Sequence, residues 1–383
     1  MGTGDDVNDA DDIERMLRDA AADYVGRTDI SANVRAWRRK PPGYDRGRWR
    51  EMAELGWVGI RAPEEFGGAG LDLAAAAALL AEIGRGIGPE PLAATAILAV
   101  RAICSGDNEA AKADLLPSIC DGSRMVAVAW QERAGQMAAD ECAATAEETA
   151  EGFAVSGEKD FVHAAAGADG FVVAARGRDG VGLFHIPADA KGLAVDIRWF
   201  TDGAPCGRLR LSNVAVSSAQ VVASPRRGGS ALESALEEAR IAACAEMLGA
   251  MRASLDITLD YLRQRKQFGK AIGSFQALQH RAVDLYVQIE LARSAIDRAV
   301  RALSSPVEAR EKALAASACK ARVSDAALLV AKESIQMHGA IGYTDEHDIG
   351  LFVRRALKLS AWLGNAAQHR KRFAALSPAL DLV

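Results

Sequence analysis

Arg265-Lys266-Gln267-Phe268-Gly269, continued by Lys270-Ala271-Ile272-Gly273-Ser274-Phe275-Gln276-Ala277-Leu278-Gln279-His280, is the stretch on which the reading of this chain turns. Arg265 carries a planar fork of N–H donors that matches a diphosphate. Phe268 offers an apolar ring face, and Gly269 is expected to supply the left-handed residue that ends a helix. An ordinary helix C-cap with a dipole-compensating arginine has the same pentapeptide pattern. A second stretch, Gln336-Met337-His338-Gly339-Ala340-Ile341-Gly342-Tyr343, follows after about 70 residues, room for two long helices. Its glycines allow a backbone to lie against a ribose or phosphate where no Cβ intervenes.

Composition narrows the class from the other side. A chain of 383 residues can hold two or three domains, and 50% hydrophobic with 25% charged residues is ordinary for a globular protein. A net charge of -5 provides no basic stripe for nucleic acid. The cysteines (Cys104, Cys120, Cys142, Cys206, Cys244, Cys319) form no C-x-x-C pair; they read as small buried hydrophobes in a reducing compartment, not as disulfides or metal ligands. The N-terminus is acidic and lacks the apolar run of a signal peptide. The Ala-rich runs stop well short of the ~20 residues of a membrane span. A cytoplasmic protein is expected.

Hydrophobic periodicity changes twice along the chain. From Asp11 to about Ile119 it is helical, with runs such as Ile13 to Tyr24 and Leu73 to Ile83 punctuated by Pro41-Pro42-Gly43 and Gly67-Gly68-Ala69-Gly70. From Met125 to about Val222 short β-like runs alternate with Gly, Asp and Asn at the spacing of a small barrel or sandwich. After Ala231 four long amphipathic helices are expected to about Ala375, with turns near Gly269, Ser304-Ser305-Pro306 and Gly339 to Asp345. The expected domains are 1–122 (helical), 123–226 (β) and 227–383 (helical bundle).

These segments, together with Leu55-Gly56-Trp57-Val58-Gly59-Ile60-Arg61-Ala62-Pro63-Glu64-Glu65-Phe66-Gly67-Gly68, resemble the acyl-CoA dehydrogenase family over essentially the whole chain. The resemblance implies an α+β fold: an N-terminal α-helical domain, a middle β-barrel domain and a C-terminal four-helix bundle. It implies FAD as cofactor and an acyl-CoA as substrate, oxidised to the trans-2,3-unsaturated thioester, with electrons passed to an electron-transfer flavoprotein. It also implies an oligomer, a dimer or tetramer of this chain or a mixed assembly with a homologous one, because the family's flavin is clamped between subunits. By residue, Arg265 and Phe268 match diphosphate-binding positions and Gln276 a nearby polar contact. Gln336, Gly339 and Gly342 match positions that reach the adenosine half from a neighbouring subunit. In the middle domain Gln131, within Trp130-Gln131-Glu132-Arg133, stands in place of the family's Thr-Glu-Pro flavin contact. Phe161 and His163 stand in that of its Trp-containing strand, where His163 either brings a titratable group near the flavin or simply bonds backbone. Asn365 falls at a further flavin contact.

Catalysis in that family needs an α-proton base and donors for the thioester oxygen. The usual base, a Glu before a Gly in the last helix, aligns with Leu363; the alternative position, one residue before Arg240, is Ala239. Both positions lack an acid. Glu246 lies two turns along from Ala239 on nearly the same face of its helix, with no basic residue at i±3 or i±4. A lone carboxylate on such an apolar face is favoured in its protonated form by desolvation, which suits a general base near neutral pH. Glu246 is therefore the candidate base, set against two alternatives: a structural acid paired across the bundle, or Glu238 in its place. The thioester oxygen is expected to take the backbone N–H of Leu363. Arg240 matches a substrate-contacting position, or is a surface charge paired with Glu237. Three readings follow: an acyl-CoA dehydrogenase, a non-catalytic or half-catalytic subunit whose homologous partner supplies the base, and a same-fold flavoenzyme with different chemistry such as oxygenation. Ala242, Ala243 and Gly249 suggest room for a bulky acyl chain, or close helix packing.

Overall fold

A computed structural model describes residues 5–27 and 29–377. The helices before the sheet are α1 (Asp5–Gly26), α2 (Ile30–Trp37), α3 (Arg46–Glu54), α4 (Leu73–Arg85), α5 (Val100–Cys104) and α6 (Glu109–Cys120). α3 and α6 start at side-chain caps. Asp45 accepts from the N–H groups of Gly47 and Arg48, and Asn108 from those of Ala110 and Ala111. Eight strands follow: β1 (Val126–Ala129), β2 (Thr145–Thr149), β3 (Gly152–His163), β4 (Gly170–Gly177), β5 (Gly180–Pro187), β6 (Leu193–Trp199), β7 (Pro205–Ser217) and β8 (Val221–Ala223). The rest comprises α7 (Gly228–Gln264), the two-residue strands β9 (Lys266–Gln267) and β10 (Lys270–Ala271), then α8 (Gln276–Ser304), α9 (Ala309–His338), α10 (Ile349–Ala361) and α11 (Ala366–Leu376).

By compactness these elements form two units. One takes the chain up to Arg35, Leu73–Gly88 and everything from Arg240; the other takes Ala36–Asp72 and Pro89–Ala239.

Within the second unit the sheet runs β6-β7-β3-β2-β4-β5-β8, with β1 parallel to β4. It is an open path, so the expected barrel is corrected to an open sheet. Residues 170–175 of β4 are all buried, which explains why that strand reads as an unbroken apolar run instead of alternating. The β3–β7 register shifts between Lys159 and Val162. Phe161 lies in that irregularity with φ 55°, conformational strain for an aromatic residue.

In the first unit α4 and α7 cross in backbone contact. A Cβ on Gly84 would run into the carbonyl of Glu246, and one on Gly249 into the carbonyl of Ala81. The smallness of Gly249 is therefore consumed by helix packing, not by an acyl pocket. The expected fourth long helix is broken at Trp362 to Asn365 into α10 and α11, because Asn365 opens a new helix through a capping box with Gln368. Gly269 is corrected as well. α7 ends at Gln264, and Phe268 and Gly269, with φ 56° and 78°, make the two-residue loop of the β9–β10 hairpin. Positive φ at both positions is what such a loop requires.

Candidate active site

The β9–β10 loop carries Phe268 into solvent, with 90% of its surface exposed. Phe275 meets its ring edge-on at a centroid separation of 6.1 Å. Arg265, one residue past α7, and Gln276, the first residue of α8, are exposed too. At the far end of α9, Gly339 caps the helix with φ 67° and open space where a Cβ would be. Gln336 is exposed beside it, whereas Gly342 is buried against His338 and Ile335. Both segments thus present donors and open backbone to solvent.

Both candidate carboxylates are engaged. Glu246 Oε1 accepts from Arg355 Nη1 at 2.6 Å, and Arg355 Nη2 also donates to the carbonyls of Ile87 and Gly88 at 2.8 Å. The expectation of a lone carboxylate on α7 is overturned: the partner is absent from its own helix and comes from α10, 109 residues away. In the other unit Glu238 is held at both oxygens, Oε2 by Arg61 Nε and Nη2 at 3.1 and 3.0 Å and Oε1 by Arg101 Nε at 3.0 Å.

Leu363 lies between α10 and α11, buried, with φ 60°. His369 on α11 fixes its carbonyl, at 2.9 Å from Nε2. A carbonyl only accepts, so Nε2 bears the proton and the ring is neutral through Nδ1. Burial, with repulsion from Arg240 and Lys320, pushes His369 down to about 2. Lys320 on α9 is fully buried, and its ammonium donates among the carbonyls of Leu359, Ser360 and Gly364 and the Ser324 hydroxyl at 3.0–3.1 Å. Arg240 is fully buried, so its reading as a surface charge is corrected. Sequence reasoning missed Lys320 and His369. Lys320 could have been found, since it shares an apolar stripe with Ala313, Ala316, Val323 and Ala327 on α9.

On the sheet, Gln131 is half-buried, Phe161 is 37% exposed, and the His163 ring packs on Phe200 at 4.5 Å between centroids. Glu132 turns inward to accept from the N–H groups of Ala143 and Ala144 and from Lys159 Nζ at 2.6 Å. The Lys159 ammonium, fully buried, holds Glu132 ionised against its own desolvation. The departure from Thr-Glu-Pro thus leaves Glu132 as a strut. Asn365 spends its side-chain oxygen on the Gln368 N–H.

Residues 11–123 match the family model described as acyl-CoA dehydrogenase, N-terminal domain, and residues 226–376 match its C-terminal domain. Acyl-CoA dehydrogenase IpdE2 of Mycobacterium tuberculosis is 32% identical over 359 residues, 89% of this chain and 90% of that one. The chain belongs to the acyl-CoA dehydrogenase family. Among solved members of this fold, one described as a Tcur3481-Tcur3483 steroid ACAD variant is 32% identical with a TM-score of 0.83, covering 96% of this chain and 97% of its own. The ChsE4-ChsE5 complex of Mycobacterium tuberculosis aligns at a TM-score of 0.83 and 24% identity, covering 97% and 98%. Acyl-CoA dehydrogenases are FAD-dependent, and this chain is an oxidoreductase acting on acyl-CoA. Its residues fit FAD: an exposed guanidinium for the diphosphate, an exposed ring, and glycine backbone free of Cβ at 269 and 339. No helix among the described residues is long and apolar enough to cross a membrane.

Proposed function

We propose that the chain takes part in oxidising an acyl-CoA to the trans-2,3-unsaturated thioester, as one subunit of a cytoplasmic assembly in which a homologous chain supplies the α-proton base. The observation that carries this reading is the pairing of Glu246 with Arg355, alongside Leu363 and Ala239 at the two positions where the base is expected. The ChsE4-ChsE5 complex, and the paired naming of Tcur3481-Tcur3483, support an assembly of two different chains.

Arg265 binds the flavin diphosphate, Phe268 covers its apolar part, and Gln276 adds a polar contact. Gln336, Gly339 and Gly342 approach the adenosine half of a flavin held by the neighbouring subunit. Gln131, Phe161 and His163 in the sheet unit and Asn365 at the start of α11 are further candidate flavin contacts. Arg240 has no exposed surface, which counts against a direct contact with the substrate. The Leu363 N–H donates to the thioester oxygen and stabilises the negative charge that develops there as the α-proton leaves. Bound FAD supplies the acceptor for the hydride leaving the β-carbon, and an electron-transfer flavoprotein takes the electrons onward. Exposed Val283, Tyr286, Val287 and Leu291 on α8 give the neighbouring subunit an apolar stripe to cover.

The chain should be purified alone and co-expressed with a homologue that keeps the C-terminal Glu, and flavin content and bleaching by a panel of acyl-CoAs compared. Bleaching only in the mixture is expected. Bleaching by the chain alone, lost in Glu246→Gln, would return the base to Glu246.

A further inference from the structure

Leu363 combines three properties that rarely coincide: a left-handed backbone in a residue with a branched side chain, burial to 1% exposure, and an N–H that no acceptor takes among the described residues. A non-glycine residue persists in that conformation only where its surroundings over-determine it. The carbonyls around it show how. The ammonium of Lys320 holds Leu359 and Ser360 before Leu363 and Gly364 after it, while His369 holds the carbonyl of Leu363 itself. Every one of these contacts uses a carbonyl, so the loop is fixed from its acceptor side and the Leu363 N–H is left over as a donor.

We infer that Lys320 and His369 are positioning residues: together they clamp the Leu363 loop so that its N–H stands preorganised to polarise the thioester carbonyl. The simpler role of Lys320, compensating the exposed carbonyls at the C-terminal end of α10, accounts for Leu359 and Ser360. It does not account for Gly364, which lies beyond Leu363, nor for His369. Preorganisation is what gives such a donor its effect, because a fixed dipole does not have to reorient as charge develops. His369 suits the task because the Leu363 carbonyl at 2.9 Å only accepts, which selects the tautomer with the proton on Nε2, and burial keeps the ring neutral.

The inference rests on the proposed role of the Leu363 N–H, and its test reads the clamp separately from catalysis. Trp362-Leu363 is the only Trp-Leu pair in the sequence. A chain labelled with carbonyl-13C tryptophan and 15N leucine therefore gives one amide signal in a carbonyl-filtered NMR spectrum, that of Leu363. We expect one sharp resonance in the wild type, splitting or broadening in His369→Phe and Lys320→Met, and recovery in His369→Gln, whose amide still donates. Should Lys320→Met fail to fold, the two His369 variants decide. In the assembly that turns over an acyl-CoA, His369→Phe should lower kcat roughly 10- to 100-fold with KM within about 3-fold, whereas a merely structural role would lower the amount of active enzyme at unchanged kcat. An unchanged Leu363 resonance in His369→Phe overturns the clamp whatever the assembly does. A perturbed resonance with unaltered kcat overturns the catalytic use of the clamp. Failure of every assembly to oxidise any acyl-CoA, with the resonance behaving as expected, upholds the clamp and overturns the proposed function.

Discussion

Arg355 donates to Glu246 at 2.6 Å, and both side chains are nearly shut off from water, with 7% and 13% of their surfaces exposed. The same guanidinium donates to the carbonyls of Ile87 and Gly88, so one arginine ties α10, α7 and the turn after α4 together. A carboxylate in that position is first of all the counter-ion of a buried cation.

Removing its charge should therefore be read in stability. Glu246→Gln is expected to cost about 2 kcal/mol, below the range for breaking a fully buried pair because some solvent reaches this one and the amide oxygen still accepts. Urea denaturation measures it, and Glu246→Gln with Arg355→Met should recover part of the loss. An unchanged midpoint together with a hundredfold slower flavin reduction would reinstate Glu246 as the base.

Arg265→Ala should fold normally and bind FAD more weakly by about 2–5 kcal/mol, the effect of losing a charge-assisted contact to a diphosphate. Its exposed position predicts no change in melting temperature of the flavin-free chain. Stoichiometric flavin absorbance in the purified variant would remove Arg265 from the cofactor site.

Lys320 predicts a pH dependence. Burial lowers it from 10.5 to about 8; Arg240 adds repulsion, while the thiols of Cys244 and Cys319 pull the other way. Below pH 8 the ammonium is charged both folded and unfolded, and folding bears the full cost of burying it. Between 8 and 10.5 the folded chain has released a proton that the unfolded chain still holds, so the Lys320 contribution to stability rises with pH. Buried thiols oppose this in the upper part of the window: Cys120, raised by burial to about 11, stays protonated when folded and ionises when unfolded. Comparison with Lys320→Met isolates the lysine. The stability of wild type relative to the variant should increase by on the order of 1 kcal/mol or more between pH 7.5 and 10. A difference that does not change with pH would show that the ammonium keeps its proton.

Gly249→Ala should destabilise the chain by roughly 3 kcal/mol, since the new methyl would meet the Ala81 carbonyl and backbone can yield only by moving a helix. Ala242→Gly, on the same helix but at an ordinary helical position, should cost about 1 kcal/mol from helix propensity, plus whatever its lost methyl leaves empty. Equal effects at the two positions would remove the special status of the crossing.

What was legible in the sequence was whatever local pattern encodes. The helical and β-like stretches, and the segments around Arg265 and Gln336, are set by periodicity and by contiguous motifs. The partner of Glu246 was not, because i±3 and i±4 spacing sees only one helix and Arg355 stands on another. Gly269 shows a subtler limit: its left-handed backbone was readable, but a helix cap and a two-residue hairpin ask for the same glycine. The open sheet escaped because strand count and spacing do not say whether the edge strands β6 and β8 meet. For the site itself, the family resemblance put Leu363 and Ala239 at the positions where an acid is expected; it did not show that Glu246 and Glu238 are already committed to arginines.

The contact between α4 and α7 has a bearing on experimental design. Because Gly84 rests on the main-chain oxygen of Glu246, the height and azimuth of that residue are dictated by peptide groups and are indifferent to its side chain. α7 therefore works as an indexed rail. An exchange at 246 would then be felt in the ion pair with Arg355 and not in the spacing of the two helices, whereas Ala243, wholly buried on the same helix, leaves no room for a transplanted acid.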